Sequence, residues 1–200
     1  MKRVTKFLAV TLIAFLSIFF MACNGEVPAE VLAAAKADLD IELATGDSTL
    51  SITGDITLPA ALEEYEDLVI TWSSNNTAAI QNDGTVIRSA VDVSVEITAT
   101  LTYEEATETK KFTVVVKADP ALAVAAAKTA LAITYATGDT AASVTGNLTL
   151  PSFVGDVDVT WASGTPAVIT DAGVVTRGAA DVTVTMTATL TMGTASDTET

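Results

Sequence analysis

The chain has 200 residues, with 25 acidic against 10 basic side chains, a formal net charge of −15, no histidine and one cysteine. That balance excludes nucleic acid as a partner, because a phosphate backbone would be repelled. The missing histidine and the single thiol exclude Ser-His and Cys-His nucleophiles, the usual zinc sites and any intrachain disulfide, so no cofactor or metal is expected.

The N-terminus carries a targeting pattern. Lys2, Arg3 and Lys6 form a positive head, and Phe7 to Met21 is almost wholly apolar. The stretch is short for a spanning helix and fits a secretory signal over residues 1–22. It ends at Phe20-Met21-Ala22-Cys23. A lone cysteine directly after such a segment resembles a bacterial lipoprotein lipobox. In that reading Cys23 is the first mature residue, carries lipid on its thiol and anchors the protein to the bacterial membrane, facing outside. Ala22 fits the lipobox pattern, whereas Phe20 and Met21 are bulkier than usual. All acidic residues follow Ala22 with only seven basic ones, which gives −18 for residues 23–200. A protein so charged does not adhere to anionic lipid surfaces, so attachment has to come from acyl chains.

After a linker over residues 23–28 the chain repeats itself. KADLDIELATGDSTLSITGDITLP, from Lys36 to Pro59, aligns without a gap on KTALAITYATGDTAASVTGNLTLP, from Lys128 to Pro151, at an offset of 92. Downstream, ITWSSNNTAAIQNDGTVIRS aligns on VTWASGTPAVITDAGVVTRG at an offset of 89. The repeat fixes the folding unit. Two tandem domains are expected, over residues 29–118 and 119–200.

Each copy opens with a short Ala-rich helix. Asp119-Pro120 is an N-cap followed by Pro at N1, and Pro28 takes that place in the first copy. Leu32, Ala35 and Leu39 fall on one stripe, as do Val124, Ala127 and Leu131. Gly46 and Gly138 then break the chain. Leu68, Ile70 and Trp72 alternate with Val69 and Thr71, and Val157, Val159 and Trp161 repeat this around Asp158. The Trp face is therefore read as core and the Val69 face as solvent, making Trp72 and Trp161 structural core residues. Turns are expected at Asn82-Asp83-Gly84 and Ala172-Gly173. Val93 to Tyr103 alternates strictly, as does its twin from Val182 to Met192. Such alternation belongs to an antiparallel sheet with one wet face. Phe112, Val114 and Val116 make a closing strand. The fold class is all-β, two tandem β-sandwich domains.

The pattern ITWSS, an isoleucine, GTV, then ITATLTYEEATETKKFTVVV resembles the atrophied bacterial immunoglobulin-like domains, and the ATGD and TLP segments fit too. The resemblance covers nearly all of Val27 to Lys117, and Asp119 to Thr200 more loosely. It departs at Ala162, where the first copy has Ser73, and at the end of the second copy. It implies that both sandwiches are Ig-like and lack the inter-sheet disulfide, that the protein is extracellular or at the cell surface, and that it has no catalytic residues.

Several side chains compete for a role. Paired carboxylates remain chemically able to hydrolyse glycosides. The acids are read as not repeating at matched places: Glu63, Glu64, Glu66 and Asp67 meet only Gly155-Asp156, and Glu104, Glu105 and Glu108 meet Gly193, Thr194 and Asp197. Asp47 and Asp139 recur, and Asn75, Asn76, Asn82 and Asp83 add oxygens. Calcium is the metal they would suit, but Asx turns and caps explain them without one. The two tryptophans could stack on sugars if exposed. The reading of the whole is a non-enzymatic cell-surface lipoprotein, serving as stalk, spacer or adhesion module with a protein or polysaccharide partner. The competing readings are a carbohydrate-binding module and the N-terminal fragment of a larger surface protein. Thr200 aligns with Lys111, so the second domain is expected to lack its last strand, with truncation the favoured explanation.

Overall fold

The computed structural model describes residues 27–200. Cys23 and the leader lie outside the described residues. In the first copy, helix α1 (Pro28–Asp38) precedes β1 (Val69–Ser74), β2 (Val93–Tyr103) and β3 (Ala106–Val116). In the second, α2 (Pro120–Ala130) precedes β4 (Phe153–Val154), β5 (Val157–Ser163), β6 (Met186–Met192) and β7 (Ala195–Glu199). The sheets are antiparallel, ordered β1-β2-β3 and β4-β5-β6-β7.

The helices start where the sequence provides a start. Asp119 accepts hydrogen bonds from the Ala121 and Leu122 amides, filling donors that an α-helix leaves free, and Pro120 loses nothing at N1. Val27, ahead of Pro28, offers no side-chain cap. Leu32, Ala35 and Leu39 are all buried, while in the second copy Val124 and Ala127 are buried and Leu131 is half-buried.

β2 is the spine of its sheet. Val95, Ile97, Ala99 and Leu101 are fully buried, and the residues between them are not. Fully burying each larger side chain is worth about 1.5–3 kcal/mol. The layer facing this sheet is not a second sheet of comparable size. At one end α1 covers it, with Leu32, Ala35 and Leu39 packed on Leu68, Ile70, Ala99 and Leu101. At the other end lie turns held by single bridges, Glu42 with Thr57, Ile52 with Val116 and Ile80 with Val86. These put Ile41, Ile52, Ile56 and Ile80 against Val95, Ile97, Val114 and Val116. The sandwich is thus reduced to one sheet and an irregular cover in each copy. Segments of this length between breakers cannot extend a ladder beyond a residue or two.

Glycine is indispensable in one such turn. Gly84 sits at φ +92° with its carbonyl accepting the Ile56 amide at 3.0 Å. A Cβ there would stand 1.9 Å from the Ile56 oxygen. Gly173 repeats the arrangement at φ +79°, with its missing Cβ 2.6 Å from the Leu148 oxygen.

The copies differ in two places. The shortened loop of the second copy closes a tight hairpin at Gly155 (φ +59°), which adds β4. At the other end, the alternating segment from Val182 forms strand only from Met186. Its expected first half, Val182–Thr185, has no strand beside it among the described residues, because the β6–β7 ladder stops at Ala188–Glu199. Alternation without a hydrogen-bonding neighbour does not make a strand. The last strand is present in its first half, as β7.

Candidate functional site

The residues that recur between copies define what the fold uses them for. Trp72 faces inward opposite Ala99, and Trp161 opposite Ala188, a large side chain set against a small one in each ladder. Each indole is partly buried and touches both apolar clusters of its copy. Trp72 Nε1 donates to the Pro59 carbonyl at 2.8 Å, and Trp161 Nε1 to the Pro151 carbonyl at 2.9 Å. Those are the prolines that end the gapless repeat block. A sugar platform presents an open ring face, and these rings are spent on packing.

The matched aspartates are equally occupied. Asp47 accepts from the Thr53 amide (2.8 Å), the Thr53 hydroxyl (2.7 Å) and the Gly54 amide (3.0 Å). Asp139 accepts from the Thr145 amide and hydroxyl (2.7 Å each) and the Gly146 amide (2.8 Å). Backbone amides in both cases hold the carboxyl below the ordinary aspartate range, because they bond the charged form. Asn75 accepts the Glu96 amide, Asn82 the Ser74 amide and Asp83 the Thr85 amide. Each oxygen thus secures a nearby strand end or turn. Among the described residues, no group of three His, Cys, Asp or Glu stands close enough to share a metal ion.

One expectation needs correcting: acids do recur at matched places. Lys36 on α1 pairs with Glu108 on β3 at 3.0 Å, and Lys128 on α2 pairs with Asp197 on β7 at 3.0 Å. The Lys pair shares the offset of 92 and the acid pair the offset of 89, so each ion pair crosses the point where the offset changes. Asp55 and Asn147 likewise accept the Val86 and Val175 amides. Asn82 and Asp171 both accept the amide of the residue ending the Trp strand, Ser74 and Ser163. Polar identity changes while the bond is kept. The offsets of 92 and 89 show in the sequence that the lysine and the acid each recur, but only the fold shows that they meet.

The unmatched acids are on the surface. Glu63, Glu64, Glu66 and Asp67 are exposed in a groove beside α1, together with Glu30, and the half-buried Tyr65 also lines it. The Tyr65 hydroxyl donates to Asp38 at 2.6 Å, which pushes its pKa up to about 12. Every carboxyl with a displaced pKa is held down: by backbone amides at Asp47, Asp83 and Asp139, and by lysine at Asp92, Glu108 and Asp197. A general acid needs the opposite shift. No charged side chain is buried among the described residues. No helix among them is long and apolar enough to cross a membrane.

A family model described as atrophied bacterial Ig domain matches the chain twice, over residues 32–119 and 124–200. No curated protein matches it.

Proposed function

The chain belongs to the atrophied bacterial Ig domain family, and from that premise we propose that it is a non-catalytic surface lipoprotein whose two Ig-like copies serve as a stalk, spacer or adhesion module. The observation that carries this reading is the use made of the recurring polar residues. In both copies Asp47/Asp139, Lys36/Lys128 with their acids, and the two indoles hold the chain's own backbone or side chains together. What two copies preserve is architecture. A stalk needs repeated, self-sufficient units more than it needs a reactive group.

The anchor is the lipid on Cys23, supported by the lone cysteine behind an apolar run with a basic head. Two or three acyl chains hold a protein on a bilayer where one does not. The charge of −18 carried by residues 23–200 keeps the copies off an anionic membrane, which suits a projecting spacer. Cys23→Ala should move the protein from the membrane fraction into the medium, or leave an unprocessed precursor. A variant that fractionates and migrates like the parent would end the lipoprotein reading.

A further inference from the structure

Between the end of β3 at Val116 and the start of α2 at Pro120 lie Lys117, Ala118 and Asp119, and the first copy holds each of them. The Lys117 amide donates to the Ile52 carbonyl at 2.9 Å, and its ammonium pairs with Asp92. Its carbonyl accepts from Arg88 Nε at 3.0 Å. Ala118 is buried, and both of its backbone groups are bonded: the amide donates to Asp92 at 2.8 Å, and the carbonyl accepts from Arg88 Nη2. One planar guanidinium thus spans two successive carbonyls, which a point-charge ammonium does not do. The Asp119 amide donates to the Ser89 carbonyl at 2.7 Å.

From that amide onward, Asp119 belongs to the second copy. Its carbonyl accepts the Ala123 amide at 2.9 Å, and its carboxylate accepts the Ala121 and Leu122 amides. One residue is therefore the last held by one copy and the first held by the other. The torsions at this point are restricted as well. The Pro120 ring keeps the preceding residue out of the helical region, and Asp119 lies at φ −76°, ψ 120°. The ring also fixes the φ of Pro120, and its ψ is set by α2. A flexible joint needs a run of unbonded residues, typically glycine and serine, and Lys-Ala-Asp-Pro supplies none. At the start of α1, Val27 precedes proline without any side-chain cap, so proline at the first helical turn does not by itself bring this double engagement.

We propose that this junction is a locked elbow. Arg88 and Asp92 fasten Lys117 and Ala118 to the first copy, and Asp119-Pro120 carries that fixed direction into α2, so the two copies turn as one body. A spacer reading requires only that each copy fold. The elbow is a further property, and it holds with or without a lipid on Cys23.

The chain from Cys23 onward, made without its leader and kept reduced, carries the test, with 15N relaxation and residual dipolar couplings measured over both copies. In the parent, one rotational diffusion tensor and one alignment tensor should fit both copies. The Ala118 and Asp119 amides should be as ordered as those of β3. Gly-Ser-Gly-Ser inserted between Ala118 and Asp119 leaves both sheets and the α2 cap in place. It should give each copy its own tensor and shorten the correlation times toward that of a single copy. Pro120→Gly removes the ring and its hold on Asp119, and should uncouple the copies in the same direction by less. Arg88→Ala releases the two carbonyls and should do likewise. Lys111→Ala breaks only the exposed pair with Glu96 and should leave the common tensor unchanged. Should Arg88→Ala unfold the first copy, Pro120→Gly decides, because it alters neither sheet. Separate tensors in the parent overturn the proposal. So does a common tensor that survives the insertion, Pro120→Gly, or Arg88→Ala with its first copy folded, and so does its loss in Lys111→Ala.

Discussion

Trp72→Ala is the perturbation that most directly tests how each copy is held together. The ring bridges the helix-side and turn-side clusters, lies opposite Ala99, and stacks obliquely on Phe112 at 5.7 Å between centroids. Removing a large buried aromatic costs about 3–5 kcal/mol, and the partial exposure of this ring places the loss near the lower end, ~3 kcal/mol. Part of that is the bond from Nε1 to the Pro59 carbonyl, worth about 1 kcal/mol. Trp72→Phe, which keeps most of the packing and loses the bond, should therefore cost about 1–2 kcal/mol. Val69→Thr, on a side chain 55% exposed on the opposite face, should stay within about 0.5 kcal/mol. Guanidinium unfolding followed by circular dichroism reads both copies. In the Trp72→Ala protein, fluorescence comes from Trp161 alone and reads the second copy. The dichroism transition of the first copy should move to lower denaturant while the fluorescence midpoint holds. Equal, small shifts for Trp72→Ala and Val69→Thr would show that the indole does not join the two clusters.

Three further outcomes follow from single contacts. Gly84→Ala meets both a left-handed backbone and a Cβ 1.9 Å from the Ile56 oxygen, and should cost about 3 kcal/mol or more. Gly46→Ala has a similar φ of +96° but open space, and should cost only about 1 kcal/mol. Equal melting temperatures for these two variants would refute the close approach. Glu104 holds φ +54° where the second copy has Gly193 at +57°. Glu104→Gly relieves about 1–2 kcal/mol of strain and adds about 0.5–1 kcal/mol of backbone entropy cost, so a gain of ~0.5 kcal/mol is expected in chemical unfolding. Loss of stability would refute it. Asp47 and Asp139 have carboxyls held below the unfolded value, so the stability they contribute is complete above about pH 4 and is lost as pH falls through their lower folded values. The gap in stability between the parent and Asp47→Asn should be largest near neutral pH and shrink on acidification. A gap constant down to acid denaturation would rule out the charged carboxylate as its source.

Much of this fold can be read from the chain alone because its signals are local or repeated. Asp119-Pro120 marks a helix start with two adjacent residues, since a cap acts on amides two and three positions away. Alternation from Val93 to Tyr103 names the buried face, since a strand's side chains change sides at every residue. Gly84 and Gly173 mark turns because only glycine enters that backbone region freely. The repeat itself gives the number of units. Other features depend on what lies across space. The segments Val93–Ile97 and Val182–Met186 alternate alike, but only the first has Phe112–Val116 beside it, and a ladder needs a neighbour as well as a pattern. The reduced cover of single bridges is invisible to periodicity, because one pair of residues carries no period. The same holds for Lys36 with Glu108 and Lys128 with Asp197, which lie 72 and 69 residues apart in the chain. Asp47 recurs in the sequence as a candidate calcium ligand or turn residue. Only the folded loop, by bringing the Thr53 and Gly54 amides onto its carboxylate, commits its oxygens to the backbone.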